Sequence, residues 1–430
     1  MSLVNNKYKS RLVDKKIKEY LEVFGAISIE GPKWCGKTWS ALNNANSVIY
    51  MDEEENQERA DLDVKSIFTH EKNQKPQLID EWNLVPKIWD ATRRECDKTA
   101  ENGNYILTGS TTLPKRVKEE KIHHSGAGRI GTIRMHTMSL YESGDSSGEA
   151  SIMDMYNSKQ KSMSVKDVEL RELANLIVRG GWPGNLETKE SQIGIVPKEY
   201  INSILSKDMI DDEDKRRDIN KMRMLMKSLA RNESSLVSNN TIINDIEEIS
   251  DSKGIISSKI TLSDYLDLLS RLYLIENQEA YTENYRSPQR VGKVSKRHYT
   301  DPSLACSLLD LNSDKLLNDL NTFGVMFESL VERDLRVYME YLGGNLKHFR
   351  DNVSGLEVDA ILEFIGGDYA AIEIKLGSNK IEEAIENLKK FYDSMIRKPK
   401  FMCVIVGKGN AIMYNKETNI YVVPITALKP

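Results

Sequence analysis

Apolar positions Leu12, Ile17, Tyr20, Leu21 and Phe24 fall near helical spacing and predict a helix within residues 1–25. Short apolar runs then alternate with helix-compatible stretches. Residues 26–29, 47–51, 76–79, 105–108 and 129–135 read as strands. Strands alternating with helices predict an α/β fold, a parallel sheet covered on both faces. Residues 142–165 are rich in Ser, Gly, Glu and Lys and poor in large apolar residues, which reads as a linker or insertion. The pattern is helical over 166–230, interrupted at Arg179-Gly180-Gly181-Trp182-Pro183-Gly184, where Gly and Pro mark a turn that fixes the flanking helices. A polar stretch covers 232–240. A helix near 242–249 precedes a strongly amphipathic one over 261–274, with Leu262, Tyr265, Leu266, Leu268, Leu269 and Leu272 on one face. The basic segment that follows holds Arg286, Arg290, Lys293, Lys296, Arg297 and His298, interleaved with Tyr281, Tyr285 and Tyr299. Two helices and a basic extended hairpin resemble a helix-turn-helix with a wing. That wing either tracks a phosphate backbone or is a solvated charged hairpin. In the last part a helix over 323–341 leads to strands at 357–364, 370–374, 402–406 and 420–423, with a helix at 380–395.

Composition narrows the class. With 430 residues, 40% apolar and 29% charged, the chain is expected to form a soluble, multidomain globular protein. The net charge of −5 gives no whole-body positive field, so nucleic-acid contact would need local basic patches. No apolar run is long enough for a membrane span, and the first residues have no apolar signal core. The cysteines Cys35, Cys96, Cys306 and Cys403 are scattered, which disfavours a zinc site or disulfide scaffold and points to a reducing, cytoplasmic setting.

The chemistry is concentrated at Gly31-Pro32-Lys33-Trp34-Cys35-Gly36-Lys37-Thr38, a complete G-x-x-x-x-G-K-T phosphate loop between a strand and a helix. Gly31 and Gly36 let backbone N–H groups turn toward phosphates. Lys37 supplies a charge for the β- and γ-phosphates, and Thr38 a hydroxyl for Mg²⁺. Leu78-Ile79-Asp80-Glu81 ends a strand in two acids at the sheet edge where α/β proteins bind ligands. Asp80 is the expected Mg²⁺ partner, and Glu81 the residue that orients and polarises water. After the next strand, Thr108 or Ser110 either senses the γ-phosphate or simply ends a polar strand. Arg129 is either a candidate arginine finger for its own or a neighbouring subunit, the latter implying a homo-oligomer, or a surface arginine.

A second constellation lies near the carboxyl end. Asp359 sits on one expected strand, Glu373 and Lys375 on the next, and positions two apart on a strand share a face. With Glu328 on the preceding helix, this arrangement resembles the PD-(D/E)xK nuclease pattern. Glu328, Asp359 and Glu373 are the candidate metal ligands and Lys375 the residue that activates water. The same fold is equally able to persist as a scaffold without cutting.

The loop, Leu-Ile-Asp-Glu-Trp, Ile-Leu-Thr-Gly-Ser, Gly-Ala-Gly-Arg, Arg-Gly-Gly-Trp-Pro and Ile-Glu-Ile-Lys, in this order, resemble the prokaryotic AAA-type ATPases whose C-terminal half is a domain of unknown function. Lys33 and Trp34 stand where that family commonly has Arg and Gln. The resemblance implies an ATPase core over 1–150, a helical lid over 166–235, a winged helix over 236–315 and a restriction-endonuclease-like α/β domain over 320–430. It implies ATP and Mg²⁺ as cofactors and DNA as a partner of the C-terminal half. Alternatives are an ATP-gated DNA- or protein-binding switch with an inactive nuclease fold, and a protein-remodelling ring.

Overall fold

A computed structural model describes residues 3–4, 7–69, 73–109, 122–207, 218–250, 259–284 and 295–430. The chain divides into two compact units. The first comprises the described residues of 1–137 with Leu268–Leu274, the second those of 138–267 and 275–430.

In the first unit, strands β1 (Ala26–Glu30), β2 (Ser47–Tyr50), β3 (Gln77–Asp80), β4 (Tyr105–Gly109) and β5 (Ile130–Arg134) form one sheet in the order β2-β3-β4-β1-β5. Every pairing is parallel. The runs are short and apolar because both faces are covered. Ile27 and Ile29 of β1 pack with Ile17, Ala41, Leu78, Ile106 and Ile133 on one side. Ala26, Ile79 and Leu107 meet Trp82, Ile88 and Trp89 on the other. Burial on both faces is what a parallel sheet with crossover helices requires. The helices Val13–Val23 and Lys37–Asn44 lie toward the first face, and Lys87–Thr99 toward the second.

The second unit is built on a nine-stranded mixed sheet. Its strands are β7 (Met163–Ser164), β8 (Ile275–Ala280), β9 (Lys296–Tyr299), β10 (Asn345–Arg350), β11 (Glu357–Glu363), β12 (Tyr369–Lys375), β13 (Met402–Val406), β14 (Ala411–Asn415) and β15 (Ile420–Pro424). Their spatial order is β7-β14-β15-β13-β12-β11-β10-β8-β9. The helix Ile381–Ser394 places Ala384, Leu388 and Phe391 on a face built from Val358, Ile361, Ala371, Val404 and Val422. The 22-residue helix Leu320–Tyr341 packs along β10, β11 and β12. Around the sheet gather the helices Leu170–Arg179, Ile195–Lys207, Ile219–Arg231, Asn239–Ser250 and Pro302–Leu308.

Two expectations change here. The 142–165 stretch is not a bare linker. It contains β6 (Ala150–Ser151), the helix Ile152–Tyr156 and β7. β6 pairs with β16 (Leu428–Lys429), and β7 extends the sheet edge at β14. Of its apolar residues, Ala150, Ile152 and Met155 are buried and Met163 is exposed. Short strands that borrow their partners from the chain's far end leave almost no periodic signal of their own. The expected wing is likewise part of the C-terminal sheet, since β8 pairs with β9 on one side and in parallel with β10 on the other.

The Gly-Gly-Trp-Pro turn anchors the second unit. Gly180 is left-handed (φ 69°). A Cβ on Gly181 would lie 2.1 Å from the Met138 carbonyl oxygen. Gly181 N–H donates to Asp301 at 2.9 Å, Arg333 pairs with Asp301 at 3.0 Å, and Trp182 Nε1 donates to Ser303 at 2.9 Å. Gly181→Ala should therefore lower unfolding free energy by about 3 kcal/mol, because the clash is with backbone and cannot relax through a side chain. Denaturant melts check this; an unchanged midpoint would show that the turn tolerates a side chain.

Candidate functional site

The phosphate loop curls between β1 and the helix Lys37–Asn44. Gly36, the residue before that helix, is left-handed at φ 104°, and a Cβ on Gly31 would come 2.1 Å from the Met135 carbonyl oxygen. Both positions thus demand glycine. Trp34 also takes a positive φ, 65°, and is 66% exposed, whereas Pro32 and Cys35 are buried beneath the loop and Lys33 is half-buried. Lys37 is buried, and its ammonium donates to the carbonyl oxygens of Gly31 (2.9 Å) and Pro32 (2.8 Å). An ammonium has three N–H bonds. Two hold the side chain inside the cradle, and the third is the one a phosphate oxygen would take.

Asp80 closes the site from β3. Thr38 Oγ1 donates to Asp80 Oδ1 at 3.0 Å, and the Thr108 hydroxyl donates to the same oxygen. The sheet order explains the arrangement, since β4 lies between β3 and β1 and its Thr108 bridges to Asp80. Burial pushes the Asp80 carboxyl above the usual range, the Thr108 and Thr38 bonds oppose this, and the Glu81 charge adds to it. A cation bound there would reverse that penalty. The facing hydroxyl and carboxylate are hard oxygen donors of the kind Mg²⁺ takes, with phosphate and water completing the shell, so these residues fit the ion. Glu81 follows in a left-handed conformation (φ 54°, ψ 44°). That region is uncommon for a residue with a Cβ and recurs where side chains are aimed for function.

Arg129 does not join this group. It precedes β5, and its carbonyl accepts from Ala26 N, level with the start of β1, while Arg134 pairs with Glu30 at the loop end. A strand length of roughly 16 Å therefore separates it from its own phosphate loop. Its guanidinium bonds Asp97 at 2.7 Å. Ser110 lies outside the described residues.

Motif reading missed the support beneath the loop. Arg11 is buried and donates to the carbonyl oxygens of Cys35 (2.8 Å) and His136 (3.0 Å). Asp14 accepts from Arg11 N (2.9 Å) and from the Tyr8 hydroxyl (2.8 Å), which also meets Ser40 of the loop helix at 3.0 Å. No local pattern reveals this, because Tyr8, Arg11 and Asp14 look like surface residues of an amphipathic segment.

In the second unit Asp359, Glu373 and Lys375 do converge. Lys375 Nζ lies 3.1 Å from Asp359 and 2.7 Å from Glu373. Between Val358 and Ile361, β11 has one residue more than β10 opposite it, a bulge that re-aims Asp359. Asp359 also accepts from Ile374 N at 2.7 Å, and Asn387 donates to Glu373 at 2.8 Å. Burial and the Asp359 charge push the carboxyls of Glu328 and Glu373 above the usual range, against the pull of the lysines.

Lys296 and His298 overturn the picture of a solvated basic wing. The Lys296 side chain is 2% exposed and pairs with Glu328 at 3.0 Å. Arg297 donates to Asn239 at 2.8 Å. Arg286, Arg290 and Lys293 lie outside the described residues. His298, two positions from Lys296 on β9, places Nδ1 2.9 Å from Glu332 and Nε2 2.8 Å from Gln278 Oε1. Because the Gln278 amide donates to the Lys347 carbonyl, its oxygen is the acceptor facing His298. Both ring nitrogens then meet acceptors, the arrangement of an imidazolium. Burial alone would lower its pKa, but Glu332 and Glu233 raise it to about 9. The ordinary value is 6.5, so this stabilisation is complete below about pH 6.5 and is lost as pH rises through about 9. Thermal melts should show that alkaline loss in wild type and a flatter profile in His298→Gln; parallel profiles would refute the charged assignment.

Among the described residues, no helix is long and apolar enough to cross a membrane. Residues 24–144 match a family model described as an AAA domain, 170–315 a domain of unknown function (DUF8612), and 323–428 a domain of unknown function (DUF4143). No curated protein matches the chain. Among solved structures it is similar to a Walker-type ATPase of Pyrococcus abyssi, at 15% identity over 72% of this chain and 98% of that one, TM-score 0.43. It is also similar to the Aeropyrum pernix ORC1 protein in complex with DNA, at 15% identity over 74% and 96%, TM-score 0.27. AMPPCP-bound DnaA from Aquifex aeolicus is similar at 14% identity over 62% and 98%, TM-score 0.29. With its glycine-dependent phosphate loop on an all-parallel sheet, the segment 24–144 has the architecture of a P-loop nucleotide-binding domain and matches the AAA domain model.

Proposed function

We propose that this chain binds ATP with Mg²⁺, hydrolyses it, and uses the nucleotide state to govern how its C-terminal part engages DNA. The observation that carries the ATPase reading is the juxtaposition of Lys37, Thr38, Asp80 and Thr108 at the phosphate loop. In this reading the loop amides and Lys37 hold the β- and γ-phosphates, and Thr38 and Asp80 hold the cation. Thr108 orients Asp80. Glu81 accepts the developing proton of the attacking water as it adds to the γ-phosphorus and the bond to ADP breaks. Bound Mg²⁺ supplies charge neutralisation at the transferred phosphoryl group. Phosphate release measured with and without Mg²⁺ tests this, and no turnover in either condition would count against it.

For the C-terminal part, Asp359, Glu373 and Lys375 are the residues that would cut nucleic acid. A second reading, a nucleotide-gated binding switch with no cutting, is favoured by the two lysines already seated among the acids. Plasmid cleavage with Mg²⁺ or Mn²⁺ separates the two. Cleavage lost in Asp359→Ala and Lys375→Ala supports the nuclease, and DNA binding that changes with ATP but leaves the plasmid intact supports the switch.

A further inference from the structure

We infer that Lys296 is a built-in cation, occupying with its ammonium the place among Glu328, Glu332 and Glu357 that a divalent metal would need. Lys296 Nζ lies 3.0 Å from Glu328, 3.8 Å from Glu332 and 3.8 Å from Glu357. The Lys296 and Glu332 side chains are 2% and 1% exposed. Glu332 Oε1 is buried without a hydrogen-bond partner among the described residues; the Lys296 ammonium is the cation facing it, while His298 pairs with the other oxygen. Glu328 and Glu332 are one turn apart on the helix Leu320–Tyr341, and Lys296 reaches both from β9. Lys375 in turn fills the gap between Asp359 and Glu373.

A divalent ion requires carboxylate oxygens at roughly 2.0–2.6 Å from one centre, and they must face that centre unencumbered. Here Glu328 is hydrogen-bonded to one ammonium, while Asp359 and Glu373 are bonded to another. A metal entering beside Lys296 would meet a buried positive charge with no aqueous screening. The residues present therefore do not fit a metal-loaded nuclease centre. The same physics says why the lysine is retained. Removing it leaves Glu328 without its ammonium partner and Glu332 with His298 alone, which is costly unless another cation arrives.

The inference rests on the nuclease-like reading only for the kind of ion these acids would otherwise hold. It is tested on the nucleotide-free full-length chain carrying Asp80→Asn, so that the phosphate loop contributes little metal affinity. Mn²⁺ binding is followed by electron paramagnetic resonance, and folding by thermal melts. The expected result is no stoichiometric Mn²⁺ binding until Lys296 is replaced. Lys296→Gln should then bind Mn²⁺ roughly tenfold or more tightly than its parent, with a raised melting temperature. Lys296→Arg should stay indifferent to the metal, and adding Glu328→Gln to Lys296→Gln should abolish the gain. If Lys296→Gln is unfolded without metal, recovery of its melt by Mn²⁺ supports the inference and failure to recover overturns it. Stoichiometric Mn²⁺ binding by the Lys296-containing parent, lost on Glu328→Gln, overturns it whatever the variants do. That result would leave the switch reading open, whereas metal-dependent plasmid cleavage would remove the switch reading itself.

Discussion

Lys37→Ala is expected to weaken ATP binding on the order of 10²–10³-fold, the range for truncating one side of a buried charge pair. Two effects combine. The phosphate loses its ammonium partner, and the loop loses the two bonds from Lys37 to Gly31 and Pro32 that hold its curl. Lys37→Arg should not rescue binding, because a planar fork cannot sit where a compact ammonium bridges two backbone carbonyls. Isothermal calorimetry on a sample with a wild-type melting profile checks this. Equal affinity in Lys37→Ala would mean that the nucleotide, if bound, lies elsewhere.

Glu81→Gln should leave ATP affinity almost unchanged and lower turnover by about 10²–10⁴-fold, the usual contribution of a positioned general base. The two side chains have the same shape, so the left-handed backbone at Glu81 is no more strained after the change. What disappears is an acceptor able to take a proton. Asp80→Asn is the informative companion. Asp80 receives hydroxyls from both Thr38 and Thr108, so its loss should show mainly as a higher Mg²⁺ requirement. The split is measurable as kcat against the Mg²⁺ concentration for half-maximal rate. A Glu81→Gln enzyme with normal turnover would transfer the proton-accepting role to another group.

Both expectations could be framed from contiguous residues. The phosphate loop is eight consecutive positions whose chemistry is dictated by backbone conformation, and Gly31, Gly36, Lys37 and Thr38 announce it. The five apolar runs of the first unit are equally legible, because a strand buried on both faces must be continuously apolar. Asp359, Glu373 and Lys375 were visible for a related reason. Adjacent strands of an antiparallel pair turn a short sequence separation into spatial contact.

Long-range packing decided the rest. Lys296 and His298 belong to a segment that reads as a charged hairpin, and nothing near them in the chain signals burial. The acids that make burial tolerable, Glu328 and Glu332, arrive from a helix some thirty residues later, and Glu233 from more than sixty residues earlier. Arg129 reads as a candidate arginine finger, but the register of β5 against β1 puts it at the far end of the sheet from its own phosphate loop. The strands within 142–165 exist because residues 411–429 offer them open edges. Local sequence can specify backbone curvature and apolar periodicity, since both are properties of neighbouring residues. Whether a charge is buried, and which opposite charge meets it, depends on groups that only folding brings together.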